Sequence, residues 1–290
     1  MELNEITLDL RDDYKKLTEG IRMSFYSFTT IFMARNCTFY RYVDLGNGAL
    51  AVLSTPPNKK PTMMCPLGTE EIMPAFQALH EKYGVEQIWP LTEEMKCRIE
   101  AECGTCFTYE EVRDYEDYVY ETEKMISLSG KPYHSKRNFI SRFTSRYDYE
   151  YVELTQENIG ICKPVMEKWF AEHPQFQNQV YDEKGAMLEL IDNFDALGIK
   201  GGAIVVDGQV AAFSFGERLG EDMAHILIEK GDTSYPGIYP MINREFLLHQ
   251  WSDTQYVNRE EDMGLEGLRK SKLSYHPAFL NKTFAARKNG

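Results

Sequence analysis

No run of apolar residues in this chain reaches the roughly 18 that a membrane-spanning helix requires. A transmembrane helix is excluded on that ground. Positive charge is also short: 32 Lys and Arg stand against 45 Asp and Glu, a formal net charge of −13. Such a surface repels nucleic acid and anionic membranes at long range. It disfavours tRNA as a partner, although a local basic patch can still hold phosphate. Cysteine is sparse, six in 290 residues, too few for a disulfide-stapled scaffold. Met1 to Leu10 has neither the basic and apolar blocks of a signal peptide nor the arginines of a transit peptide. The expected address is therefore cytoplasmic, and the cysteines are expected as thiols. Cys97, Cys103 and Cys106 would supply three zinc ligands, but no fourth stands at a typical spacing. No metal site is expected, and the six read as ordinary buried thiols.

What is present suits two real cores. Hydrophobic residues make up 43% of the chain and aromatics 13%. A chain of 290 residues fits two domains of about 140 residues each. In the second half, Thr155 reads as a helix cap with Ile159, Cys162, Val165, Met166, Trp169 and Phe170 at helical spacing behind it, and Pro164 should kink that helix or start a new one. A helix follows across Gly185 to Ala196. Asp207-Gly208 between two apolar runs predicts a hairpin. Met223 to Glu229 reads as a third strand, Tyr239 to Trp251 as a helix, Gln255 to Asn258 as a strand, and Met263 to Ser274 as a helix capped by Asp262. Phe279 to Ala285 reads as the closing strand. The first half repeats the later part of this order, from a hairpin at Gly46-Asn47-Gly48 to a helix over Thr92 to Glu102. The expected division is a first domain over 1–115, a linker over 116–150 and a second domain over 151–290.

The linker is patterned. Seven acids fall between Tyr109 and Lys124, and then Lys131 to Arg146 carries Lys131, Lys136, Arg137, Arg142 and Arg146 with no acid. Ser135 is placed to cap a helix whose Phe139, Ile140 and Phe143 face inward. The basic run, with Lys136, Arg137, Asn138 and Arg142, is either a solvated face or an anion and substrate site.

Two hairpin-linked strands, a third strand, a loop, a helix, a strand, a helix and a strand is the order of the GNAT acetyltransferase fold. Asp117-Tyr-Val-Tyr120, Gly130-Lys-Pro-Tyr-His-Ser-Lys-Arg-Asn138 with Arg142-Phe143, Asn258-Arg-Glu-Glu-Asp262, and Gly264-Leu-Glu-Gly-Leu-Arg-Lys-Ser-Lys-Leu-Ser-Tyr-His-Pro277 sharpen the match. They resemble the soluble bacterial family similar to the C-terminal domain of phosphatidylglycerol lysyltransferases, which is related to Fem-type aminoacyltransferases. The resemblance spans nearly the whole chain. It implies an α/β (α+β) fold of two tandem GNAT-like domains, each a mixed, mostly antiparallel sheet flanked by helices.

The resemblance implies an acyltransferase that moves an acyl or aminoacyl group from acyl-CoA or aminoacyl-tRNA to an amine or amino-acid-like acceptor. The other reading is a catalytically silent module that binds a phosphate-containing ligand. In such a fold the donor lies against the loop after the third strand, where backbone N–H groups and the start of the next helix meet phosphate. Here that loop runs from Gly231 to Tyr239. Aligned on Gly237, Ser234 and Tyr239 stand where a CoA-binding loop usually has Arg or Gln and Gly or Ala. Gly231, Thr233, Ser234, Gly237, Ile238, Tyr239 and Asn243 are the expected donor-binding residues, with Arg269, Lys270 and Lys272 available to grip phosphate. Transfer to an amine needs a base and a proton donor. Glu229 and Asp232 are the expected acids, Tyr275 the expected donor to the leaving group, and Glu217 an expected substrate contact. Each acid also has a plain reading as a solvated strand end. The first half has Pro66 and Glu70 at the corresponding loop, which predicts a structural copy.

Overall fold

The computed structural model describes residues 1–174 and 182–289. The strands among them are β1 (Asn4–Glu5), β2 (Tyr40–Gly46), β3 (Ala49–Ser54), β4 (Thr62–Met63), β5 (Gln87–Leu91), β6 (Phe107–Glu111), β7 (Asp117–Glu121), β8 (Tyr149–Leu154), β9 (Lys200–Val206), β10 (Gln209–Arg218), β11 (Met223–Gly231), β12 (Tyr256–Asn258), β13 (Phe279–Asn281) and β14 (Phe284–Lys288). The helices are α1 (Arg11–Leu17), α2 (Phe28–Ala34), α3 (Ile72–Tyr83), α4 (Glu93–Cys103), α5 (Thr122–Ser127), α6 (His134–Thr144), α7 (Lys163–Glu172), α8 (Glu183–Asp192), α9 (Phe194–Leu197), α10 (Ile238–Gln250) and α11 (Glu266–Leu273).

These form two compact units with one sheet each, so the chain is a tandem GNAT-like α/β protein. In each sheet an antiparallel run is followed by a parallel neighbour: β1-β2-β3-β4 then β5 in the first, β8-β9-β10-β11 reversed then β12 in the second. The next position is filled from the other half of the sequence. β14 sits between β5 and β6, and β7 sits between β12 and β13.

The division therefore differs from the expected one. One unit is 1–117 with 281–290, and the other is 118–280. The expected linker is not a linker: β7, α5 and α6 belong to the second unit. The expected closing strand over Phe279 to Ala285 is two strands in different sheets. Periodicity reads whether a segment is extended, but not which sheet accepts it.

Local chemistry explains most elements. Asp207 and Gly208 both have positive φ, 50° and 75°, as the tight hairpin between β9 and β10 demands. Pro164 lies in the first turn of α7, where a missing N–H costs nothing, so the proline starts the helix. Thr155 is no helix cap; its N–H bonds the Asn158 side chain, and a 3-10 turn over Ile159–Cys162 intervenes. Thr92 caps α4 through Met95 N–H as its position suggests. Ser135 lies inside α6, which begins at His134. On that helix Phe143 is fully buried and Ile140 partly so, but Phe139 is 43% exposed. Of the six thiols only Cys65 and Cys162 are buried, so the uniform buried-thiol expectation fails at the other four.

In the second unit α10, α5 and α6 cover one face of the sheet, with Phe143, Met241, Phe246 and Trp251 in the core beneath them. α7 lies on the opposite face, and its Trp169 and Phe170 are buried.

Candidate active site

The parallel pairing of β11 with β12 lasts only from Met223 opposite Tyr256 to His225 opposite Asn258. β11 then continues to Gly231, while the chain after Asn258 turns away through Glu260, whose φ of 57° is left-handed. Two strands that share a short ladder and then part leave a wedge-shaped opening between them.

A bulge aims the acid into that opening. Phe215 pairs with Ile228 and Gly216 with Ile226, so Leu227 is an extra residue in β11. An extra residue reverses the alternation of side chains beyond it. Ala224 and Ile226 face the core under α10, and after the bulge Glu229 reaches the α10 side while Lys230 turns to α7.

Glu229 accepts hydrogen bonds from Asn243 Nδ2 at 3.1 Å and from Arg259 Nη2 at 3.0 Å. The Arg259 guanidinium lies 5.1 Å from the ring centre of Tyr275 and 5.9 Å from that of Tyr120. Lys136 comes from α6 and places its Nζ 3.8 Å over the Tyr275 ring, donating to Ser274 Oγ at 2.7 Å. Tyr133 donates to the Tyr275 carbonyl at 3.0 Å and fixes that end of the site. Burial, aided by the Arg259 cation and opposed by Glu229, lowers the Lys136 ammonium to about 8. Burial raises the Tyr275 phenol, against the pull of Arg259, so it keeps its proton at neutral pH.

Of the expected site residues, Glu229, Asn243, Tyr275 and Lys136 converge here. Asp232 does not. It lies on the α7 side, paired with Lys168. Burial works to raise its carboxyl, but the hydrogen bonds from Lys168 and Ser234 outweigh it and hold it below the usual range. Glu217 is buried against His225 Nδ1 at 3.4 Å, and His225 Nε2 is 3.0 Å from Glu260. Burial alone would lower His225, but the two carboxylates raise it to about 10, so the imidazole is charged. These three side chains tie β10 and β11 to the segment carrying Arg259.

The expected donor loop bonds part of its own backbone. The N–H groups of Ser234, Tyr235, Ile238 and Met241 bond within the loop and the first turn of α10. Thr233 is exposed, Ile238 is buried in the core, and Tyr239 accepts from Trp169 Nε1 at 3.0 Å. Gly231 packs against Ala212 and Ile238, where an added Cβ would sit 3.2 Å from each. Gly237 has φ of 97°, and a Cβ there would lie 2.5 Å from the Phe139 carbonyl oxygen of α6. Both glycines pack closely against neighbouring elements.

Several expected cations hold the protein instead. Arg137 donates to the carbonyls of Leu128 and Gly130, beyond the end of α5. Arg269 grips buried Asp262 with two hydrogen bonds of 2.8 Å, and Lys272 donates to the carbonyls of Arg259 and Glu260. Asn138 lies 3.2 Å from His134 Nε2, while Arg142 and Lys270 are exposed. The residue that sequence reading passed over is Arg259. It stands in the motif from Asn258 to Asp262, directly after the strand that pairs with β11, and that position was the available signal.

The sheets and the wedge beside Glu229 place the chain in the GNAT-like class. Residues 20–287 match the family described as phosphatidylglycerol lysyltransferase, C-terminal, and the chain belongs to that family. A conserved protein of unknown function from Bacteroides thetaiotaomicron is similar over the whole of both chains, at 30% identity and a TM-score of 0.92. L-PGS from Bacillus licheniformis shares the fold at a TM-score of 0.71 and 14% identity, over 99% of this chain and 94% of that one. FemX shares it at 0.62 and 10% identity, over 100% and 98%. An uncharacterized protein of Mycoplasmoides gallisepticum is 27% identical over 175 residues, 58% of this chain; the match spans about half, 54%, of that curated relative. Among the described residues no helix is long and apolar enough to cross a membrane.

Proposed function

We propose that this protein transfers an aminoacyl or acyl group to an amine, with the chemistry at Glu229, Arg259 and Tyr275. The observation that carries the reading is the Glu229 carboxylate, held by Arg259 and Asn243 where β11 and β12 part. In this reaction the amine nitrogen bonds to the acyl carbon and the ester or thioester bond breaks. Glu229 takes a proton from the acceptor's ammonium so that the free amine attacks, Arg259 steadies the negative oxygen of the tetrahedral intermediate, and Tyr275 protonates the leaving group and regains a proton from the intermediate's nitrogen.

Acyl-CoA and aminoacyl-tRNA are the donors this reading admits. The engaged amides of Ser234, Tyr235 and Ile238 weigh against a bound pyrophosphate at those positions, and membership of a lysyltransferase-related family weighs for an aminoacyl ester. The net charge of −13 weighs the other way, against a long polyanionic partner. The acceptor in this reading is a small amine or amino-acid-like molecule met in the cytoplasm.

The test incubates the protein with either donor and a panel of amines and reads product by mass spectrometry. Glu229→Gln and Tyr275→Phe should each lower kcat by about a hundredfold with little change in donor KM. Transfer at full rate in Glu229→Gln would remove Glu229 from the chemistry, and transfer from neither donor in the unaltered protein would leave the silent binding module as the better reading.

A further inference from the structure

The cleft beside Glu229 holds more positive charge than its acid can balance. Arg259 and Lys136 face a single carboxylate there, and both oxygens of Glu229 are already engaged, one by Arg259 and one by Asn243. Arg259 gives one of its several N–H donors to Glu229, and its remaining side-chain donors have no partner among the described residues. Lys136 donates to the uncharged Ser274 hydroxyl, and no carboxylate pairs with it among the described residues. Both stand against aromatic faces rather than open water: Lys136 over Tyr275, Arg259 beside Tyr120 and Tyr275. Two cations sharing a largely desolvated cleft repel each other, and a bound dianion relieves that repulsion.

We propose that Lys136 and Arg259 together bind one phosphate group of the substrate that enters this cleft. The guanidinium offers paired N–H groups that fit phosphate oxygens, and the ammonium adds a compact charge on the other side. The proposal rests on the transferase reading only for what the phosphate belongs to; the anion site stands on the charge balance. Lys136 is the group that responds. The groups facing it are Arg259, Glu229 and the Tyr275 ring, and an added dianion favours its charged form.

The test is calorimetry on the full chain at low ionic strength, where such contacts are strongest. Sulfate serves as the probe because it does not titrate near pH 8. Sulfate should bind with uptake of about half a proton at pH 8 and almost none at pH 6, read from buffers of different ionisation enthalpy. Lys136→Met and Arg259→Met should each weaken binding by about tenfold or more. Lys136→Arg should still bind but without the proton uptake, which separates loss of the site from loss of the fold. Adenosine monophosphate binding more tightly than inorganic phosphate would put the group on a nucleotide; equal binding would put it on a substrate without one. Sulfate binding unchanged in Lys136→Met, or acetate bound as tightly as sulfate, would overturn the proposal. Intact sulfate binding with no transfer from any donor would remove the transferase reading and leave the anion site standing; the reverse pattern would remove the site and leave the transfer.

Discussion

Arg259 and His225 show how one residue can depend on another's charge. Glu260, directly after Arg259, is held in a left-handed conformation by His225 Nε2 and by its own N–H to Asn258. Such a conformation persists only where surrounding contacts over-determine it. His225 is raised to about 10 in the fold, against about 6.5 unfolded. A raised folded pKa contributes stability that is complete below the unfolded value and lost as pH climbs through the folded one. The difference in unfolding free energy between the protein and His225→Gln should therefore narrow from about pH 6.5 to about pH 10. Urea unfolding at stepped pH measures it, and a constant difference would mean that the imidazole is neutral in the fold. Gly237 makes a second residue-scale case. Its φ and its closeness to the Phe139 carbonyl predict that Gly237→Ala loses about 2 kcal/mol or more. A denaturation midpoint unmoved by that change would show that α6 yields at this point.

At the scale of elements, α6 does the unexpected work. Its sequence reads as a basic stripe with three inward apolar residues, but only Phe143 is fully buried, and it packs edge-on against Tyr149 at 5.8 Å between ring centres. Phe143→Ala should cost about 3–5 kcal/mol, whereas Phe139→Ala should stay within about 0.5 kcal/mol. Thermal melts of the two variants would separate them, and equal losses would contradict the burial difference. α6 also lies against Gly237 in the loop that the GNAT resemblance offers to a donor, and by carrying Lys136 it supplies the cation over Tyr275. The bulge at Leu227 has a comparable effect on β11. A strict alternation from Ala224 would put Glu229 on the α7 face, away from Arg259 and Asn243.

For the whole molecule, the exchange of closing strands decides what can fold as a piece. A fragment of residues 151–290 lacks β7, so β12 and β13 have no strand between them, and a fragment of 1–115 lacks β14 between β5 and β6. An interior strand supplies backbone partners on both edges, and its loss leaves buried N–H and C=O groups unpaired. Residues 118–280 should therefore melt cooperatively as an isolated fragment, and 151–290 should not. Circular dichroism on both fragments would test this; a cooperative melt of 151–290 would show that β7 is dispensable.

Much of this fold was legible in the residues themselves. Asp207-Gly208 dictates a tight turn because both positions need positive φ, Thr92 caps a helix because its hydroxyl reaches an orphan N–H, and Glu229 reads as an acid at a strand end. These depend on neighbours a few positions away. Arg259 against Glu229, Lys136 over Tyr275, and the crossing of β7 and β14 join residues 30, 139 and nearly 200 positions apart. Pattern carries no information about which distant edge a strand will complete, because any exposed ladder can accept an extended segment. Only the tertiary structure decided that the last strand of each half leaves it, and that Lys136 and Arg259 meet beside one carboxylate.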